Sequence, residues 1–153
     1  MREEYRAEAA DESCISKWLE LVSIVSDHFP GLIMEEYTQT LVKNIRRKTA
    51  LCVKADGNIV GILLFSPEQH CLSCIAVHPE YRRQGIASAL TSRLAVEVLK
   101  RGKVPFYCCA WSNVASARNA IRCGFRPAWV QLTAKSMAFV DSMNGEEERR
   151  EII

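Results

Sequence analysis

Val77-His-Pro-Glu-Tyr-Arg-Arg-Gln-Gly-Ile-Ala87 is the stretch on which the reading of this chain turns. The apolar run before it, His70 to Val77, reads as a strand. Behind it Ile86, Leu90, Leu94 and Val98 recur every four residues, which places them on one face of a helix. A strand, a short basic turn with a glycine and then a helix start is a way to hold an anion. The first helical N–H groups have no intrahelical acceptor, and the macrodipole adds partial positive charge beside them. Gly85 lets an anion come close to the backbone, and Ala87 keeps the next position small. Arg82 and Arg83 supply charge that reaches outlying phosphate oxygens. Physics alone therefore predicts a site for a phosphorylated ligand.

The rest of the composition narrows the class. A chain of 153 residues suits one domain with a sizeable core, here taken as residues 1–140 with a charged tail over 141–153. The net charge of +2 and the lack of aromatic–basic interleaving argue against nucleic acid. Met-Arg-Glu-Glu-Tyr carries no signal core, and no run nears the ~18 apolar residues of a membrane span. The expectation is a cytoplasmic protein with no membrane partner. Seven cysteines at irregular spacing then read as reduced thiols in apolar surroundings.

Along the chain, Glu4 to Ala7 reads as a short strand, and Asp11 or Ser13 as the cap of a helix carrying Ile15, Trp18, Leu19, Val22 and Val25. Phe29-Pro30-Gly31 breaks it. A second helix runs from about Met34 to Lys48. Asp56-Gly57-Asn58 between Ala50–Lys54 and Ile59–Phe65 is a hairpin signal. The His70–Val77 strand is apolar on both faces and so is expected to be central. Val104 to Ala110 is the next strand, Asn113 to Cys123 the next helix, and Phe125 to Thr133 a further strand. Phe139-Val140 is read as a strand or short helix.

Arg82-Arg83-Gln84-Gly85-Ile86-Ala87, behind a strand and a His-Pro-Glu-Tyr turn, resembles the pyrophosphate-binding segment of the GNAT superfamily of acyl-CoA-dependent N-acyltransferases. Asn113-Val-Ala-Ser116 with Cys123-Gly124-Phe125 resembles the segment that follows that family's fifth strand. The element order matches as well. The resemblance implies an α+β fold of three α/β/α layers around a mixed, mostly antiparallel sheet. It implies transfer of the acetyl group of acetyl-CoA to a primary amine by direct attack in a ternary complex, with no metal. The acceptor is a small-molecule or peptide amine, and a homodimer is possible. A non-catalytic acyl-CoA sensor or interaction module on the same fold is the alternative.

By the same resemblance, Arg82, Arg83, Gln84, Gly85, Ile86, Ala87 and Ser88 hold the pyrophosphate. Ile75, Ala76 and Val77 align the pantetheine, a backbone N–H among them meeting the acyl oxygen where the strand splays from its neighbour. Asn113 contacts the far arm of the cofactor, although its position equally suits a helix N-cap. Two familiar positions are changed: Cys71 stands where many members carry a Glu base, and Ala120 where many carry a Tyr acid. Glu68 and His70 are the nearby bases, acting through water. Tyr81, Tyr107 and Ser112 are available acids that no spacing separates. Phe29 with Glu35 and Glu36 is read as an apolar wall and an anionic site for a cationic amine. Cys71-x-x-Cys74 on an extended strand points its thiols to opposite faces, which a tetrahedral metal site cannot use.

Overall fold

Two faces of one sheet are written into the alternation of its strands. In β2 (Ala50–Ala55), Ala50 and Cys52 face one layer while Leu51 and Val53 face the other. β3 (Asn58–Ser66) does the same with Ile62 and Leu64 against Leu63 and Phe65. The computed structural model describes residues 5–29, 31–132, 134, 136 and 137, so Phe139-Val140 and the expected tail lie outside the described residues. β1 (Ala7–Ala9), β2, β3 and β4 (Cys71–Val77) form an antiparallel sheet in chain order. Helices α1 (Ile15–Ile24) and α2 (Met34–Arg46) cover one face. Trp18, Leu21, Val22, Leu41 and Ile45 are buried there. α3 (Ile86–Lys100) covers the other face through Ile86, Leu90, Leu94 and Val98, the four residues that the spacing selected. α4 (Val114–Arg122) packs beside α3. This is the α+β, three-layer arrangement expected from the sequence. No helix among the described residues is long and apolar enough to cross a membrane.

The local signals work as chemistry dictates. Asp11 caps the first turn by accepting from the Ser13 N–H at 2.9 Å. Asp56 and Gly57 both take positive φ, 50° and 76°, between the paired residues Ala55 and Asn58. That is the geometry of a two-residue type I′ hairpin. Gly61 serves a different purpose. A Cβ there would stand 2.4 Å from Ile86 Cγ2 and 3.2 Å from Leu90 Cδ1. The missing side chain is what lets the first turn of α3 lie close against the sheet.

Five expectations need correction. β1 begins at Ala7 and runs to Ala9, because its pairing partners are Leu51 to Val53, so of the expected Glu4–Ala7 strand only Ala7 belongs to it among the described residues. Residues 104–110 are not a regular strand: only Phe106 bridges Cys71, in parallel sense, and Pro105 has no N–H to extend the ladder. Residues 125–132 form no strand either; Pro127 interrupts them, and Trp129 and Leu132 stay 67% and 93% exposed. β4 therefore closes the described sheet instead of sitting at its centre. Finally, the register of β4 jumps so that Leu64 faces Cys74 while Phe65 faces Leu72. Ser73 is the extra residue of a β-bulge, and its insertion puts Cys71 and Cys74 on the same face. The opposite-face reading of these two thiols was wrong for that reason.

Two outcomes follow from the packing. Gly61→Ala is expected to destabilise the chain by about 1–3 kcal/mol through overpacking against Ile86, read as a lower urea midpoint. Burial raises the Cys52 thiol from 9.0 to about 12. The unfolded chain ionises this thiol first, so the stability it contributes is complete below pH 9 and is lost as pH rises toward 12. Cys52→Val should flatten the fall of the urea midpoint across that window relative to the unsubstituted chain.

Candidate active site

The turn that opens α3 leaves a row of donors unused. Gly85, at φ 93°, caps the helix, and the first helical bond runs from the Ala89 N–H to the Gly85 carbonyl at 2.9 Å. The N–H groups of Ile86, Ala87 and Ser88 come before any helical acceptor, and no backbone bond among the described residues takes them up. Arg83 shares the left-handed region at φ 63°, so two nearby residues bend the chain around the same point. A Cβ on Gly85 would meet nothing within 4 Å, which leaves open space above the backbone. Ile86 turns its side chain into the core and offers the site only its N–H. Around this row, Arg82 and Arg83 are exposed. The Gln84 amide is held by the Tyr5 hydroxyl, which donates to Oε1 at 2.8 Å, and by the Glu80 carbonyl, which accepts from Nε2 at 3.3 Å.

β4 presents a second row. The His78 N–H donates to the Val60 carbonyl at 2.8 Å, toward β3. Strand alternation then turns the backbone groups of Ile75 and Val77 the other way, to the open edge. The Val77 carbonyl confirms this direction, because it accepts from Arg82 Nε at 3.3 Å. Beyond the bulge at Ser73 the neighbouring chain is held by the Phe106 N–H donating to the His70 carbonyl at 2.7 Å. A slot thus opens from the bulge toward Val77, and it leads to the α3 turn. Ala76 turns its side chain to the α1–α2 core and its backbone groups to β3, so of the three residues expected to align the pantetheine it offers the slot neither.

A polar network joins α3 to α4. Ser88 Oγ donates to Asn119 Oδ1 at 3.0 Å, and Asn119 Nδ2 donates to the buried Thr91 Oγ1 at 2.9 Å. The Tyr107 and Ser116 hydroxyls lie 2.9 Å apart. Asn113 Oδ1 accepts from the Ser116 N–H at 3.1 Å, so the N-cap role of Asn113 is real, whatever else its amide does. Asn119 is a functional residue that the sequence reading missed, and its spacing of three from Ser116 was the one signal that could have found it. Tyr37 is another, because its spacing with Leu41 and Ile45 puts it on the apolar face of α2 and marks no polar role for it. Its hydroxyl accepts from Trp18 Nε1 at 3.0 Å and hydrogen-bonds the Cys74 thiol beside the bulge. Burial raises both the Tyr37 hydroxyl above its ordinary range and the Cys74 thiol to about 11.

The remaining candidates lie apart. Glu68 is ion-paired with Arg47 and accepts from Ser66 Oγ at 3.2 Å. His70 adopts φ 54° just before β4. Five residues of extended chain at about 3.3 Å each separate it from Ile75, roughly 16 Å, so it reaches the slot only through water. Phe29 packs edge-on against Tyr37 with ring centroids 5.6 Å apart, while Glu35 and Glu36 are exposed on the first turn of α2.

The model of the acetyltransferase (GNAT) family matches residues 18–125, which run from α1 to Phe125 and include every feature above from Tyr37 to the α4 network. The chain belongs to the GNAT acetyltransferase family. No curated protein matches it by sequence. Among solved structures, AAC(6')-Iy in complex with the bisubstrate analogue CoA-S-monomethyl-acetylneamine superposes with a TM-score of 0.74. It is 15% identical, over 88% of this chain and 99% of the other. The aminoglycoside 6'-N-acetyltransferase AAC(6')-Ih from Acinetobacter baumannii gives 0.67 at 22% identity, over 87% and 98%. A ribosomal-protein-alanine N-acetyltransferase from Brucella melitensis gives 0.64 at 16%, over 87% and 99%. At such identities the likeness is one of fold.

In this GNAT acetyltransferase the α3–α4 network sets where α4 lies against the turn. Asn119→Ala is expected to cost about 1–3 kcal/mol by leaving the Thr91 hydroxyl without its partner, measured as a drop in urea midpoint. Asn119→Asp, which cannot donate to Thr91, should lose stability as well.

Proposed function

We propose that this protein transfers the acetyl group of acetyl-CoA to a primary amine. The observation that carries the reading is the meeting of two rows of open backbone donors, residues 86–88 at the head of α3 and Ile75 with Val77 at the edge of β4. The Arg82–Val77 hydrogen bond fixes one row beside the other. The first row suits a pyrophosphate, because free N–H groups and the positive end of the helix dipole converge on it with Arg82 and Arg83 alongside. The second row suits an amide-bearing arm laid along the slot as an added strand. An N–H of Ile75 or Val77 is then placed to donate to the acyl oxygen as it gains negative charge. Asn113, at the start of α4, meets the far end of that arm.

Direct transfer needs few protein groups. The amine nitrogen bonds to the thioester carbon, the oxyanion collapses, and the C–S bond breaks to release the CoA thiolate. The amine must shed protons and the thiolate take one. Glu68 is held by Arg47, which leaves His70 as the residue to pass the amine proton through water. A proton donor positioned for the thiolate contributes roughly 10²–10⁴-fold, so turnover survives with water as the acid. The acceptor enters from the α1–α2 face, past Phe29, with Glu35 and Glu36 at the rim to attract a cation. The similar folds include proteins named for aminoglycosides and for ribosomal-protein alanine, so the fold itself favours neither.

The test pairs binding with turnover. With acetyl-CoA and a panel of an aminoglycoside, a polyamine and a peptide with a free N-terminus, at least one amine should drive release of free thiol. Gly85→Val, which forces a β-branched residue into the left-handed region and fills the space above the turn, should weaken CoA binding about 10-fold or more, roughly 1.4 kcal/mol. CoA bound tightly with no thiol released by any amine would contradict the reading and leave a non-catalytic acyl-CoA module.

A further inference from the structure

The bulge at Ser73 has a second effect, on the thiols. Because Cys71 pairs with Ser66 and Cys74 with Leu64, both cysteines lie on the α1–α2 face of the sheet. The parallel bridge sets Phe106 opposite Cys71, and Cys108, two residues further on, returns to the same side. The Cys71 and Cys108 sulfurs are 3.6 Å apart across 37 residues of chain. Cys71 is half-buried and Cys108 is exposed, so one thiol of the pair meets solvent while its partner stands behind it. Burial together with the Cys108 contact raises the Cys71 thiol to about 11, which keeps it protonated at neutral pH.

The other cysteines differ in kind. Cys14 and Cys52 hydrogen-bond each other but are both buried, out of reach of an oxidant in water. Cys74 is engaged with Tyr37, and Cys123 donates to the Ser88 carbonyl at 3.6 Å. Cys109 is exposed, but as the neighbour of Cys108 on extended chain it points to the opposite side. Among the described residues no third His, Cys, Asp or Glu completes a metal-binding group with the pair. What the site offers is a dithiol.

We propose that Cys71 and Cys108 form a reversible disulfide when a peroxide reaches Cys108, and that this bond closes the slot beside β4 on its acceptor face. The Cys108 sulfur attacks a peroxide oxygen, the O–O bond breaks, and a sulfenic acid and one water result. The Cys71 sulfur then attacks the Cys108 sulfur. The S–S bond forms as the S–O bond breaks, and the hydroxide leaves as a second water with the Cys71 proton. Two thiols are oxidised and one peroxide is reduced. The covalent link ties β4 to a segment that, among the described residues, one backbone bridge joins to it in the reduced chain, just below the slot. It does so on the face opposite α3, so the pyrophosphate row is untouched. The loss of turnover rests on the acetyl-transfer reading; the formation of the bond does not.

The experiment treats the reduced full chain with a few equivalents of hydrogen peroxide and digests it without reductant. The expected product is a cross-linked Cys71–Cys108 peptide, absent in Cys108→Ser and Cys71→Ser, retained in Cys109→Ser, and lost on adding dithiothreitol. Acetylated amine, quantified by chromatography, should fall about 10-fold or more on oxidation and return with dithiothreitol, while CoA affinity stays within twofold. Cys108→Ser should keep its turnover under peroxide. Absence of the cross-linked peptide, or its loss in Cys109→Ser, overturns the assignment of the pair. A cross-link that leaves turnover unchanged overturns the closure of the slot. If the reduced chain acetylates nothing, the acetyl-transfer reading fails on its own, and the peptide map still decides the disulfide.

Discussion

The seating of Ile86 against Gly61 is the contact on which the site depends. Ile86 is both the first residue of α3 and the side chain that fills the space a Cβ at position 61 would occupy. Its burial with Leu90, Leu94 and Val98 contributes about 1.5–3 kcal/mol for each side chain, which anchors the helix to β2 and β3. The same anchoring fixes where the unpaired N–H groups of residues 86–88 stand. Gly61 pairs with Val77, so the sheet position that admits the helix is level with the end of the β4 slot. The core and the row of open amides at the head of α3 are thus set by one piece of packing.

The second determinant is the way β4 is left unfinished. A regular fifth strand would have covered the backbone of Ile75 and Val77. Among the described residues, Pro105, the lone bridge at Phe106 and the extra residue at Ser73 prevent that. The slot separates two chemistries: on the α3 side are amides, Arg82 and Arg83; on the α1–α2 side are Tyr37, the thiols of Cys71, Cys74 and Cys108, and the acidic first turn of α2. On the proposed function, a polyanionic donor and a cationic amine would approach from these opposite sides and meet at the strand edge, the order that a ternary complex needs.

The sequence carried much of this, where a local pattern has one physical solution. Four apolar residues at spacing four defined α3, Asp56-Gly57 defined the hairpin, and Gly85 before Ile86 defined the helix start. What was not legible depends on partners distant in the chain. The bulge at Ser73 arises from pairing with β3, and no property of Ser73 announces it, so the faces of Cys71 and Cys74 came out wrong. Residues 104–110 and 125–132 have strand-like composition, but a strand exists only with a neighbour, and the sequence does not say whether one is present. Asn119 and Tyr37 were hidden because each is an ordinary helix residue until its hydrogen-bond partners are known.

The central claim is that the backbone at the head of α3 receives a pyrophosphate. It is tested most directly by the amide spectrum of ¹⁵N-labelled protein titrated with CoA. The account predicts that the largest chemical-shift changes fall on Gly85, Ile86, Ala87 and Ser88, with a second group at Ile75 and Val77 that is lost when pyrophosphate alone is added. Saturable binding with these amides unmoved, and the changes gathered elsewhere, would contradict it.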